Sequence, residues 1–200
     1  ALAWLARARR LADQADDAPT RLQALVREAQ LRAYAQDGPG PGPLLVQAQA
    51  LLAHGGPAEA ADLHLVRVVV ADQRADLGVM REAAEAVLDL PADDPAVASA
   101  HWIARVNLYT LALNQGALAE AAGHAAVAVS IAEARGFPAY ALVARFLDAH
   151  LGVLTGEPEP ALALARGLPP GWEGDLEWHD RGVALAVLGA NRVPHQPRVS

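Results

Sequence analysis

A glycine followed five positions later by an alanine recurs along this chain at near-constant spacing. The pairs are Gly78 with Ala83, Gly116 with Ala121 and Gly156 with Ala161, and the glycines stand 38 and 40 residues apart. A long helix-compatible run precedes each glycine and another follows it. Glycine adopts the left-handed backbone state that ends one helix and turns the chain back. The small alanine lets the two antiparallel helices approach closely. One such pair cannot bury its apolar faces alone, whereas stacked pairs make a continuous core. The expected fold is therefore all-α: an α-solenoid of antiparallel helix pairs with about five repeats.

Composition supports helices. Hydrophobic residues make up 53% of the chain, mostly Ala and Leu, and aromatics only 4%. Ala, Leu, Glu and Arg lose little rotamer freedom on a helix. No run alternates apolar and polar residues, which argues against a sheet. The predicted helices span 1–16, 18–36, 43–53, 57–75, 79–90, 95–114, 117–135, 138–154, 158–167 and 172–190. Thr20 is the expected cap of the second, and the last is expected to cap the array. The first reads as the second member of a pair whose partner lies upstream. With no initiating Met and a start in mid-pattern, the chain reads as a piece of a longer protein. Breakers mark the joints, among them Gly55-Gly56-Pro57, Pro91, Pro95 and Pro169-Pro170-Gly171. Residues 1–190 are expected to form a single domain and 191–200 a tail or linker.

The stretch from Leu108 to Ala121, with Gly116 and Ala121 in place, resembles the centre of a tetratricopeptide repeat. In that family a small residue precedes the turn glycine and an Ala follows five residues after it. Ala83, Ala121 and Ala161 match the Ala, Ala71 matches the small residue, and Tyr109 departs from it in the next repeat. Repeats longer than the usual ~34 residues, and the phrase Ala128 to Gly136, are similar to solenoids inside large bacterial transcription regulators of the maltose-regulon activator type. Relative to each glycine, the resemblance places groove-lining positions at Asp72 and Asp76, at Thr110 and Asn114, and at Phe146 and His150. It implies a protein or peptide partner in a concave groove.

Several function classes are disfavoured. The net charge is −7 and every fixed cation is Arg, so phosphate neutralisation by the whole chain is not expected, nor is direct nucleic-acid binding. The absence of cysteine removes thiolate metal sites, disulfides and cysteine nucleophiles, and suits a reducing cytoplasm, the expected location. The longest apolar stretch, Ala139 to Leu154, is interrupted by Arg145 and Asp148, so no membrane span is expected. The run Gly38 to Pro43 is Gly-rich, but every second residue lacks the N–H a phosphate cradle needs, so it reads as a stiff connector. Asp175, Glu177, His179 and Asp180 cluster, yet helical spacing divides them between faces, which favours a solvated first turn over a metal site. Trp4, Trp102 and Trp178 are expected in the inter-helix core.

No catalytic motif, metal site or cofactor is therefore expected. The leading reading is a non-enzymatic protein or peptide interaction module, a regulatory segment of a larger bacterial protein. The alternative is a small-molecule effector-sensing solenoid of a transcription regulator. The apolar side of the first helix, Leu2, Leu5, Ala8 and Leu11 with Trp4 nearby, is expected to make the isolated chain a homodimer.

Overall fold

A computed structural model describes residues 2–35, 40–136 and 138–167. Among these residues every regular element is a helix. The elements are α1 (Leu2–Ala15), α2 (Ala18–Ala35), α3 (Gly42–Leu51, continued by one 3-10 turn at Leu52–His54), α4 (Pro57–Gln73), α5 (Leu77–Leu88), α6 (Ala98–Asn114), α7 (Leu118–Arg135), α8 (Pro138–Thr155) and α9 (Glu159–Gly167). None of the described helices is long and apolar enough to cross a membrane. The helix expected at 172–190, the tail at 191–200, the acidic cluster around His179, and Gly38 and Pro39 of the Gly-Pro run lie outside the described residues.

Local chemistry sets the helix limits. Asp17, not Thr20, caps α2: its Oδ1 accepts from the Thr20 N–H at 3.1 Å, and its Oδ2 from the Thr20 hydroxyl at 2.6 Å. These hydrogen bonds to Thr20 hold the Asp17 carboxyl below its usual range. Pro57 opens α4, where it needs no N–H, and Glu59 reaches back to the Gly56 N–H at 2.9 Å. Gly136, at φ 64°, closes α7.

The chain divides into two compact units, residues 1–108 and 109–200, and the boundary falls inside α6. In the first unit α2 packs against α1, α3 and α4, and α4 packs against α5. The core joins Leu22, Leu25 and Ala29 of α2 to Leu44 of α3 and to Leu63 and Val66 of α4. Leu22, Leu25 and Leu63 are fully buried, and each contributes about 1.5–3 kcal/mol. Charges tie the helices as well. Glu28, 2% exposed, lies 2.6 Å from Arg32 and 3.1 Å from Arg9 of α1. In the second unit α8 packs against α7 and α9, with Val143, Phe146 and Leu147 buried.

One turn recurs. The carbonyls of Ala12, Ala71, Ala112 and Gly152 accept from the N–H five residues on, at 2.9, 2.9, 2.8 and 2.7 Å. The residue just before each donor, namely Asp16, Ala75, Gly116 and Gly156, has φ of 53°, 53°, 71° and 88°. This is the six-to-one bond that terminates a helix on a left-handed residue. The last three of these residues stand 41 and 40 positions apart.

The turn corrects the repeat register. Gly78 lies inside α5 with ordinary helical backbone, and Ala75 holds the left-handed position three residues earlier. Ala71 is therefore equivalent to Ala112 and Gly152, so the small residue before the turn is kept and Tyr109 is no exception to it. Ala121 and Ala161 follow their left-handed glycines by five positions and are fully buried, as expected. The equivalent place after Ala75 is held by Met80, 3% exposed, rather than by Ala83. Trp102 is buried as expected, whereas Trp4 is 70% exposed and is no core residue.

Candidate functional site: an open cleft on α7, α8 and α9

Two clefts of similar size open on the described surface, one in each unit. The first, about 460 Å³, lies among α1, α2 and α4, with Leu5, Ala8 and Ala24 among its walls. Its polar side chains are already engaged. Gln23 donates to Glu59 at 2.7 Å, Arg27 pairs with Asp62 at 2.9 Å, and Thr20 donates to Asp17. The hydrogen bond from Gln23 holds the Glu59 carboxyl below its usual range, while burial raises that of Asp62 against the opposing charge of Arg27. A ligand here would have to break made bonds, each worth about 0.5–1.5 kcal/mol net.

The second cleft, about 490 Å³, is lined by Val129 of α7, by Leu142, Arg145, Asp148 and Ala149 of α8, and by Pro160, Ala163 and Leu164 of α9. Leu142, Arg145 and Ala149 share one helical face because their spacing is three and four. Next to that face, α8 carries Val143, Phe146 and Leu147 into the core. Arg145 and Asp148 are exposed, one turn apart, and neither has an ion pair or a side-chain hydrogen bond among the described residues. Apolar walls thus carry two uncommitted charges of opposite sign.

The core side of α8 is latched. The Tyr109 hydroxyl donates to the Leu147 carbonyl at 3.0 Å and lies 3.2 Å from His150 Nδ1. A hydroxyl has one proton, so with that proton on the carbonyl, Nδ1 must be the donor to Tyr109. This assigns His150 the Nδ1–H tautomer on the hydrogen-bond pattern. Burial pushes the imidazole below its ordinary pKa, which favours the neutral ring. Burial, and secondarily the charge of Asp148, pushes the Tyr109 phenol well above its usual range.

The six expected groove residues are divided between the two units. Asp72 and Asp76 belong to the first unit; Thr110, Asn114, Phe146 and His150 belong to the second. Asp72 is exposed at the end of α4, and its carbonyl accepts from Ala75 within the turn. Asp76 caps α5, accepting from the Val79 N–H at 3.1 Å. Thr110 and Asn114 are exposed on the last turns of α6. Phe146, expected in the groove, is 1% exposed and packs in the core, and half-buried His150 faces Tyr109. The three-residue register offset also makes Asp72 and Asp76 equivalent to Leu113 and Ala117, not to Thr110 and Asn114. The signal that marks the cleft was visible in sequence as the two charges, Arg145 and Asp148, that interrupt the apolar stretch of α8.

Chemically, the cleft can desolvate an apolar group while pairing a carboxylate with Arg145 and a cation with Asp148. Among the described residues no three His, Asp or Glu side chains gather as metal ligands would. Comparison of the chain with protein-family models, with curated proteins and with solved structures gave no match.

Proposed function

We propose that this protein is a non-enzymatic interaction module that takes a segment of a protein partner in the α7–α8–α9 cleft, as a regulatory part of a larger bacterial protein. The observation that carries the reading is the pair of uncommitted charges, Arg145 and Asp148, on an otherwise apolar cleft. Charges of opposite sign one turn apart are matched by a helical partner with an acid and a base at the same spacing, about 5–6 Å between Cβ atoms. An apolar side chain between them would fill the cleft, in the helix-in-groove mode. The recurring turn at Ala75, Gly116 and Gly156 supports the finer architecture, a right-handed tetratricopeptide-like solenoid of about five helix pairs.

The test is a displayed-peptide selection on the full chain, repeated on the charge-swapped double variant Arg145→Asp with Asp148→Arg. Enriched peptides should carry an acid and a base one turn apart around an apolar residue. The double variant should lose them and select the reversed order. Peptides retained equally by both proteins would overturn the assignment of this cleft.

A small-molecule effector is the second reading, because the cleft volume lies within the ~300–1,000 Å³ of ordinary ligand pockets. Opposed charges over an apolar floor would suit a zwitterion with a hydrocarbon tail. Thermal shift against such compounds separates the two, since a ligand of the native state alone raises the melting temperature.

A further inference from the structure

We infer that the outward face of α1 is a second docking surface, shaped for an acidic helical segment of another protein. Trp4 is 70% and Leu11 is 55% exposed, and their spacing of seven puts them on one face of the helix. Arg7 lies between them, its guanidinium 5.6 Å from the centroid of the Trp4 ring. Arg10 is exposed on the flank. No carboxylate of the described residues pairs with Arg7 or Arg10, in contrast to Arg9, held by Glu28 at 3.1 Å, and Arg21, held by Asp13 at 3.0 Å. The opposite side of α1 is committed: Ala12 is buried, and the Arg9–Glu28 pair fixes the helix on α2. The exposed face therefore cannot roll inward without breaking that pair.

Trp and Arg are the residues that most often anchor interfaces, where an aromatic desolvates and Arg pairs with carboxylates. Two unpaired cations on a chain of net charge −7 make this helix a local positive field in an acidic protein. An acidic partner complements it. A second copy fits less well: a two-fold pairing that seats Trp4 of one copy on Leu11 of the other is centred near Arg7 and sets like charges together. An anionic bilayer fits less well too, because Arg7 sits within the apolar stripe rather than on a separate polar face.

The probes are two helical peptides of equal length, with Leu at seven-residue spacing flanked by Glu in one and by Lys in the other. Their binding to the full chain is read by fluorescence anisotropy. The Glu peptide should bind, more weakly as salt rises, and the Lys peptide should not. Trp4→Ala should weaken the Glu peptide about tenfold or more. Arg7→Glu with Arg10→Glu should abolish it and admit the Lys peptide. All three positions are exposed, so the variants should keep the wild-type circular dichroism. The cleft variant Arg145→Asp should leave this binding unchanged, which separates this surface from the cleft. Equal affinity for both peptides, or no binding of either, overturns the inference. Preferential capture by phosphatidylserine vesicles overturns it in favour of a membrane. Self-association in light scattering that Trp4→Ala removes overturns it in favour of a second copy.

Discussion

At the ends of α1 and α4 the left-handed turn residue is Asp16 or Ala75; at the ends of α6 and α8 it is Gly116 or Gly156. The hydrogen bond each turn makes is the same to within 0.2 Å, from 2.7 to 2.9 Å. The backbone state is thus imposed by the turn and the helices it joins, not by glycine itself. A side chain in the left-handed state costs about 1–2 kcal/mol, so the first unit carries strain that the second avoids. The same register position also differs in bulk: Met80 after Ala75, but Ala121 and Ala161 after the glycines. The first unit fills its joint after Ala75 with a long side chain, and the second buries only a methyl group at the same position.

The comparison can be broken most sharply at that joint. Met80→Ala should leave a cavity and destabilise by about 2–4 kcal/mol, whereas Ala121→Leu should overpack and cost about 1–3 kcal/mol. Denaturant midpoints measure both, and a harmless Ala121→Leu would refute the register. Next comes Gly152→Ala, whose added Cβ would lie 2.6 Å from the Glu157 carbonyl oxygen; a loss of about 2 kcal/mol is expected. Ala already stands at the equivalent position in the other three turns, so a silent Gly152→Ala would mean that this turn relaxes to match them.

The turn residues themselves should respond with opposite signs. Gly116→Ala should cost about 1–2 kcal/mol. Ala75→Gly should stabilise by about 0.5 kcal/mol, the strain relieved less the entropy a glycine adds to the unfolded chain. Two changes of the same sign in thermal melts would show that the turns are not equivalent. The smallest expected effect is on pH dependence. His150 is held below its unfolded value near 6.5, so the unfolded chain takes up the proton first. Stability from this ring is present above about pH 6.5 and falls as pH drops toward the folded pKa. His150→Gln should shrink the loss of stability between pH 7.5 and 5.5. An unchanged loss would assign it to other groups, such as His64 and His101, whose pKa values burial also lowers.

The helices were legible because Ala- and Leu-rich runs between Gly and Pro leave the chain little alternative. The expected 117–135 and 158–167 differ from α7 and α9 by one residue at one end. Register was less legible. Aligning glycines put Gly78 opposite Gly116, but the left-handed state belongs to Ala75, and no residue type announces a strained alanine. The cap of α2 was misplaced because Thr20 and Asp17 are both good caps, and only the geometry shows which one accepts. Asp72 and Asp76 inherited the register error, and Phe146 turned inward because α8 is apolar on more than one face. Arg145 and Asp148 were visible as charges that rule out a membrane span. That they line one cleft depends on which face α7 and α9 cover, a tertiary fact that α8 alone does not contain.

The turn that closes each hairpin also bears on how fast the chain finds its fold. Its bond joins residues only five apart, so each helix end and the start of the next form without a long loop to close. Contacts then grow outward along two adjacent helices, and any hairpin can serve as a nucleus. Chains built from such local encounters fold in microseconds to milliseconds. A slow phase in stopped-flow refolding would point to prolyl isomerisation, for which the chain holds 14 candidates.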